Sequence, residues 1–174
     1  MEKTLKIINE LEEKGVIGKY AVGGGIAAIF YIEPLLTYDL DIFFIPAKEI
    51  QGLITLSPIY DYLTGKGYQI EKEQIIIEGV PVQLIPVYNE LIREAVENAV
   101  EIEYKQAMIR VVKAEYLVAI MVQTFRPKDK ERIIKFMDEG ELDLEYLKGI
   151  LQKYNLNEKF EQLMGLYHGK YRYR

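Results

Sequence analysis

Asp39 and Asp41 stand two residues apart in Thr37-Tyr38-Asp39-Leu40-Asp41 and run directly into the apolar stretch Ile42-Phe43-Phe44-Ile45. On a strand, residues two apart share a face, so both carboxylates point one way while Leu40 turns into the core. Two carboxylates so placed hold one divalent cation, or two cations about 3.5–4 Å apart. The same charges would also serve as a solvated strand edge, and acidic residues two apart recur at Glu71/Glu73 and Glu101/Glu103. What singles out Asp39 and Asp41 is the stretch before them.

There Tyr20-Ala21-Val22 meets Gly23-Gly24-Gly25 and then the helix-forming Ile26 to Tyr31, which reads as a strand turning sharply into a helix. Glycine lets a backbone approach a ligand closely. The unpaired N–H groups at a helix start carry partial positive charge, which suits a phosphate. Three glycines alone make a tight turn with no ligand; coupled to Asp39 and Asp41 they complete a metal and nucleotide pattern. Thr37 is placed to bond either a phosphate or its own backbone two residues on. Arg126 and Lys128 flank Pro127 at a helix start where Asp129 suits the positive helix end. The two basic side chains either reach phosphate or belong to a capped, solvated helix start. His168, the only histidine, reads as an exposed residue beyond the last helix. In the tail, Tyr171 and Tyr173 alternate with Lys170, Arg172 and Arg174, a composition that stacks on single-stranded RNA, belongs to a frayed terminus or packs on its own domain.

Together these residues resemble the nucleotidyltransferase superfamily with the DNA polymerase beta-like fold. Its signature is a Gly-Gly or Gly-Ser turn, a helix, then Asp-x-Asp on the next strand, matched here by Gly24-Gly25 and Asp39-x-Asp41. Glu115 to Ile120 and Arg126-Pro127-Lys128-Asp129 resemble later helical motifs of small prokaryotic members related to the nucleotidyltransferase-type toxins of abortive-infection systems. The resemblance implies transfer of a nucleoside monophosphate from a nucleoside triphosphate (NTP) to a hydroxyl, with Mg²⁺ or Mn²⁺. It makes Asp39 and Asp41 the metal ligands and catalytic residues, and sets Gly24, Gly25, Thr37, Arg126 and Lys128 around the nucleotide. The acceptor stays open between a protein side chain, a tRNA end and a small molecule such as an aminoglycoside; an antitoxin is the implied partner chain. Two departures weaken the implied catalysis. Relatives place a third carboxylate where this chain has Gln83, and often carry Lys where it has Met121. The alternatives are therefore a nucleotide-binding or regulatory protein without turnover, and a toxin–antitoxin interaction module.

The 174 residues suit one domain, or a catalytic lobe with a small helical lobe. A net charge of −5 argues against broad nonspecific nucleic-acid binding. Without cysteine there is no disulfide framework, thiolate metal site or cysteine nucleophile. Met1 to Thr4 opens an amphipathic helix rather than a signal peptide, and no apolar run approaches the roughly 20 residues that span a bilayer. A cytoplasmic protein without a membrane partner is expected.

The elements that must position the site follow from periodicity. Leu5, Ile8 and Leu11 mark a first helix that Gly15 stops. Glu49 to Leu63 reads as a helix-rich connection with Pro58 opening a turn. Tyr68 to Glu73, Gln74 to Glu78 and Val80 to Ile85 read as strands, with Glu78-Gly79 as a hairpin turn. Pro81 puts the last of these at an edge, or stands at its beginning. Glu90 to Asn98 is a helix, and Val100 to Tyr104 and Met108 to Val112 form a hairpin around Lys105-Gln106. Helices then cover Ala114 to Thr124, Pro127 to Glu139, Leu142 to Lys153 and Glu158 to Leu166. Strands first and helices last predict α+β: a mixed sheet flanked by helices over 1–113, with a helical part over 114–174.

Overall fold

Apolar alternation lays down the sheet, and the buried residues show where its centre lies. A computed structural model describes residues 1–33, 36–47 and 56–171. Among these residues the strands are β1 (Tyr20–Val22), β2 (Leu40–Phe44), β3 (Gln69–Glu71), β4 (Gln74–Ile77), β5 (Val80–Pro86), β6 (Val100–Tyr104) and β7 (Ala107–Val111). They form one mixed sheet in the order β3–β4–β5–β2–β1–β7–β6. Val82 and Leu84 of β5 are buried between less buried neighbours, the period-two signature of a core-facing strand, whereas β2 buries Phe43 as well as Leu40, Ile42 and Phe44 and so is buried on both faces beyond Asp41. β2 runs parallel to β5 and antiparallel to β1, and β1 runs parallel to β7.

The chain divides into two compact units, Met1–Ala27 with Leu35–Val112, and Ala28–Pro34 with Lys113–Arg174. The first holds the whole sheet. Its helix α1 (Glu2–Glu13) buries Leu5, Ile8 and Leu11 and sends the buried Thr4 hydroxyl to the Ile77 carbonyl at 3.2 Å. The short α2 (Gly24–Ala28) follows β1, α3 (Ser57–Gly65) carries Pro58 in its first turn, and α4 (Glu90–Glu97) is capped by the Asn89 side chain.

The second unit is built on α5 (Ala114–Thr124), whose Tyr116, Leu117, Val118, Ala119 and Val122 are buried. With it go α6 (Pro127–Glu139), α7 (Leu144–Lys153) and α8 (Asn157–Tyr171). The Ala28–Pro34 segment packs here: the Tyr31 ring lies 6.4 Å from that of Phe136, and the Glu33 N–H donates to Glu139 Oε2 at 3.3 Å. No helix among the described residues is long and apolar enough to cross a membrane.

The mixed sheet flanked by helices, with helices gathered toward the C-terminus, matches the expectation from sequence, while several details differ from it. The helix expected over Ile26 to Tyr31 spans Gly24–Ala28 instead, because the Ala27 N–H already bonds the Gly23 carbonyl. β5 is interior, between β4 and β2, so the edge position offered for Pro81 is wrong. The proline stands at the strand's beginning. Ile77↔Val80 closes the two-residue turn, so Ile76↔Pro81 is the next pair, and β2 starts only opposite Val82; neither neighbour needs the N–H that proline lacks. Glu78 and Gly79 both have positive φ, 52° and 78°, as a two-residue turn of this hand requires. α7 starts at Leu144 because Asp143 caps it, and α8 continues to Tyr171, so His168 lies within the last helix rather than beyond it. Residues 48–55 of the connection and residues 172–174 of the tail lie outside the described residues.

Candidate functional site

β1 ends opposite β2 with Val22 paired to Ile42, and the next residue begins the glycine turn. The Gly23 N–H donates to the Asp41 carbonyl at 2.9 Å, so turn and carboxylate strand are fastened together. A Cβ on Gly23 would stand 2.2 Å from Cε2 of Phe43; only a bare Cα fits. Gly24 has φ +58°, and a Cβ there would stand 1.7 Å from Asp41 Oδ2 and 2.7 Å from its Cγ. The Asp41 carboxylate therefore lies directly on the bare Cα of Gly24. Gly25 is buried, which leaves Gly24 as the more open residue of the turn's helical start. With five residues, α2 is too short for a helix dipole of consequence, so the turn offers bare backbone rather than a macrodipole.

Asp39 precedes β2 and is partly exposed. The Thr37 hydroxyl donates to Asp39 Oδ1 at 3.3 Å, a side-chain partner two residues on, so Thr37 orients the carboxylate. On either side of Thr37, Leu36 and Tyr38 are 81% and 76% exposed. Asp41 pairs in parallel register with Gln83, and paired residues of parallel strands share a face. The amide of Gln83 thus occupies the strand position beside Asp41. Among the described residues no group of three His, Cys, Asp or Glu is placed to hold a metal. Two carboxylates are hard oxygen donors that fit Mg²⁺ or Mn²⁺ when substrate or water oxygens fill the other positions.

The other predicted residues fall in the second unit. Arg126 caps α6, and its Nε donates to Asp129 Oδ2 at 2.8 Å and its Nη2 to Oδ1 at 3.2 Å. The Arg126 backbone N–H and the Thr124 hydroxyl reach Oδ2 as well, at 3.1 and 2.7 Å. Burial opposes the charge on Asp129, but the bonds from Arg126 and Thr124 outweigh it and hold the carboxyl below its ordinary range. Here the capped helix start describes Arg126 and Asp129, while Lys128 is exposed on the first turn. Met121 lies on α5, partly exposed. In the tail, the Tyr167 hydroxyl bonds the Asp138 carboxylate at 2.7 and 2.8 Å, the packing alternative for that residue.

Sequence reasoning missed Gly23 as a packing glycine and gave no weight to Leu36 and Tyr38. The signal for the latter was present: large apolar residues alternating with polar ones immediately before Asp39.

No protein-family model matches the chain, and no curated protein matches it. Among solved structures it is similar to an antigenic nucleotidyltransferase-like protein from Paracoccidioides brasiliensis, at 15% identity and a TM-score of 0.55 over 93% of this chain and 88% of that one. It also matches two structures of the antibiotic-resistance factor ANT(2'')-Ia, each at a TM-score of 0.46. The solution structure is 15% identical over 98% of this chain and 93% of that one. The complex with adenylyl-2''-tobramycin is 13% identical over 96% and 98%. The likeness to the fungal protein shows a nucleotidyltransferase-like fold.

Proposed function

We propose that the chain is a nucleotidyltransferase, binding an NTP with Mg²⁺ or Mn²⁺ and transferring the nucleoside monophosphate to a hydroxyl acceptor. One observation carries the reading: the Asp41 carboxylate rests on the bare Cα of Gly24, so the carboxylate strand and the glycine turn meet at one point. Asp39 and Asp41 would hold the cation, whose chemistry when bound is to neutralise phosphate charge. Gly24 and Gly25 would hold the triphosphate at the turn beside the cation, and Thr37 keeps Asp39 in place. The acceptor oxygen bonds the α-phosphorus, the bond to the β-phosphate oxygen breaks, pyrophosphate leaves, and the hydroxyl proton passes to solvent. The chain contributes positioning and charge rather than covalent chemistry. Acidic residues outnumber basic ones in the sheet unit, so a free triphosphate would be repelled and the metal complex favoured. The acceptor is a protein, a tRNA end or a small molecule. Lys128 is a candidate phosphate contact, and an antitoxin partner in the cytoplasm belongs to the toxin form of this reading.

Gln83 in register with Asp41 favours a second reading, a regulatory nucleotide-binding protein without turnover. An amide adds no negative charge and is no base.

Thermal shift with NTP and Mg²⁺, together and apart, tests the first reading, because a ligand of the folded state raises the melting temperature by mass action. The pair should act synergistically, and Asp39→Asn and Asp41→Asn should each abolish the synergy while leaving a folded protein. Synergy surviving both substitutions would refute the site. Synergy without transfer of an α-labelled phosphate to any acceptor would select the regulatory reading, and Gln83→Asp would then be expected to raise transfer.

A further inference from the structure

Tyr38 and Leu36 are the most exposed large apolar residues among those described. Single apolar residues on a surface need no explanation, but these two flank a residue bonded to a proposed metal ligand, where a bound ligand would cover them. Between them the partly buried Thr37 turns its hydroxyl to Asp39, so exposure alternates along the loop. The polar residue faces the carboxylate and the apolar ones face solvent. Tyr38 is joined by one peptide bond to a proposed metal ligand. An α-phosphate held at Asp39 and Asp41 carries its base one ribose away, and that base has two apolar faces to cover. We infer that Tyr38, flanked by Leu36, is the stacking platform for the nucleobase of the donor triphosphate, so that the site grips its base by its face rather than by its hydrogen-bonding edge. The inference rests on the nucleotidyltransferase reading above. It names how the donor is selected: stacking tolerates every base and favours the larger ring system, so purine triphosphates bind several-fold more tightly than pyrimidine ones.

The chain has no tryptophan, so Tyr38→Trp installs a single fluorescent ring at the proposed platform. Tyr88→Trp is the control; Tyr88 is also exposed but follows the C-terminal end of β5, away from the end that pairs with Asp41. With Mg²⁺ present, ATP and GTP should quench the indole at position 38, UTP should quench it at higher concentration, and inorganic tripolyphosphate should not. The indole at position 88 should stay silent. Tyr38→Ala should weaken ATP binding about tenfold, as loss of one stacked base does. It should leave the thermal shift by tripolyphosphate and Mg²⁺ unchanged, and Tyr38→Phe should bind as the parent does. An indole at 38 that ignores ATP, or a Tyr38→Ala variant that binds ATP as the parent does, overturns the inference while the metal and triphosphate site stands. A parent chain that responds to neither ATP nor tripolyphosphate with Mg²⁺ removes the underlying reading, and this inference with it.

Discussion

A backbone N–H reaches the carboxylate of Asp129 and the main-chain carbonyl of Asp41, and the two carboxylates lie in different surroundings. Asp129 is 1% exposed and accepts bonds from the Arg126 guanidinium and backbone and from Thr124; its own helix start uses its charge. Asp41 is partly exposed and lies against a residue that has no side chain. A carboxylate closed in by donors from its own helix start and from the end of the preceding helix is fastening the two together. Asp41 instead lies where a side chain on Gly24 would stand, so its place depends on the turn beside it. Reading acidic residues by the company they keep separates the two: Asp41 was a site candidate from sequence, and Asp129 a residue suited to the positive helix end.

Gly24→Ala should have the largest effect and would break the contrast outright. The left-handed backbone costs an alanine about 1–2 kcal/mol, and the new methyl must also displace Asp41. We expect a lowered melting temperature together with loss of the NTP and Mg²⁺ synergy. Adding Asp41→Ala to that background should restore part of the stability and none of the synergy; full independence of the two changes would show that the contact is not what matters.

Asp129→Asn should come next, at about 1–3 kcal/mol, because it unbalances a buried set of donors. The synergy should survive, which urea denaturation and thermal shift measured side by side would check. The folded carboxyl is held below its ordinary range, so between the folded and unfolded values the unfolded chain binds more protons and stability rises with pH. The stabilising effect is fully present above the unfolded value near 4 and is lost as pH falls through the folded one. The stability gap between the parent and Asp129→Asn should therefore close on acidification below about pH 4. A gap that persists unchanged in acid would contradict the assignment.

The smallest effect concerns Tyr31, whose buried hydroxyl has no hydrogen-bond partner among the described residues and whose ionisation is pushed up to about 12 by burial and the nearby Glu115. Tyr31→Phe removes an unsatisfied group, and should be neutral or stabilising by about 1 kcal/mol in chemical denaturation. A loss of stability would show that the hydroxyl has a partner after all.

Periodicity and turn chemistry carried most of the fold. α5 and α6 begin and end where the apolar spacing, Pro127 and the flanking polar residues put them, and Glu78-Gly79 turns as a glycine-bearing pair must. Turns made by Lys72 and Lys105 at positive φ carry no glycine signal, because pairing of the flanking strands imposes the conformation. In the candidate site, Gly24 and Asp41 could be read as partners because sterics and strand alternation are local rules. The pairing of Asp41 with Gln83 depends on the register of strands about 40 residues apart in the chain, which alternation alone does not determine. The closure of Arg126 onto Asp129 was open for a different reason: two side chains three apart at a helix start can bond each other or a ligand, and packing decides.

The Ala28–Pro34 segment, grouped with the helical unit although it lies in the chain between Gly24 and Asp39, bears on how the protein can be taken apart. The polypeptide passes from one unit to the other three times, so neither unit is a continuous stretch that a gene could lose or lend intact. A fragment ending at Val112 would keep both the glycine turn and the Asp-x-Asp strand yet leave Tyr31 without Phe136 and Glu33 without Glu139, with the nearly buried Ile32 stripped of the surroundings that cover it. Modularity in this chain is spatial, not genetic, and the two units are inherited as one.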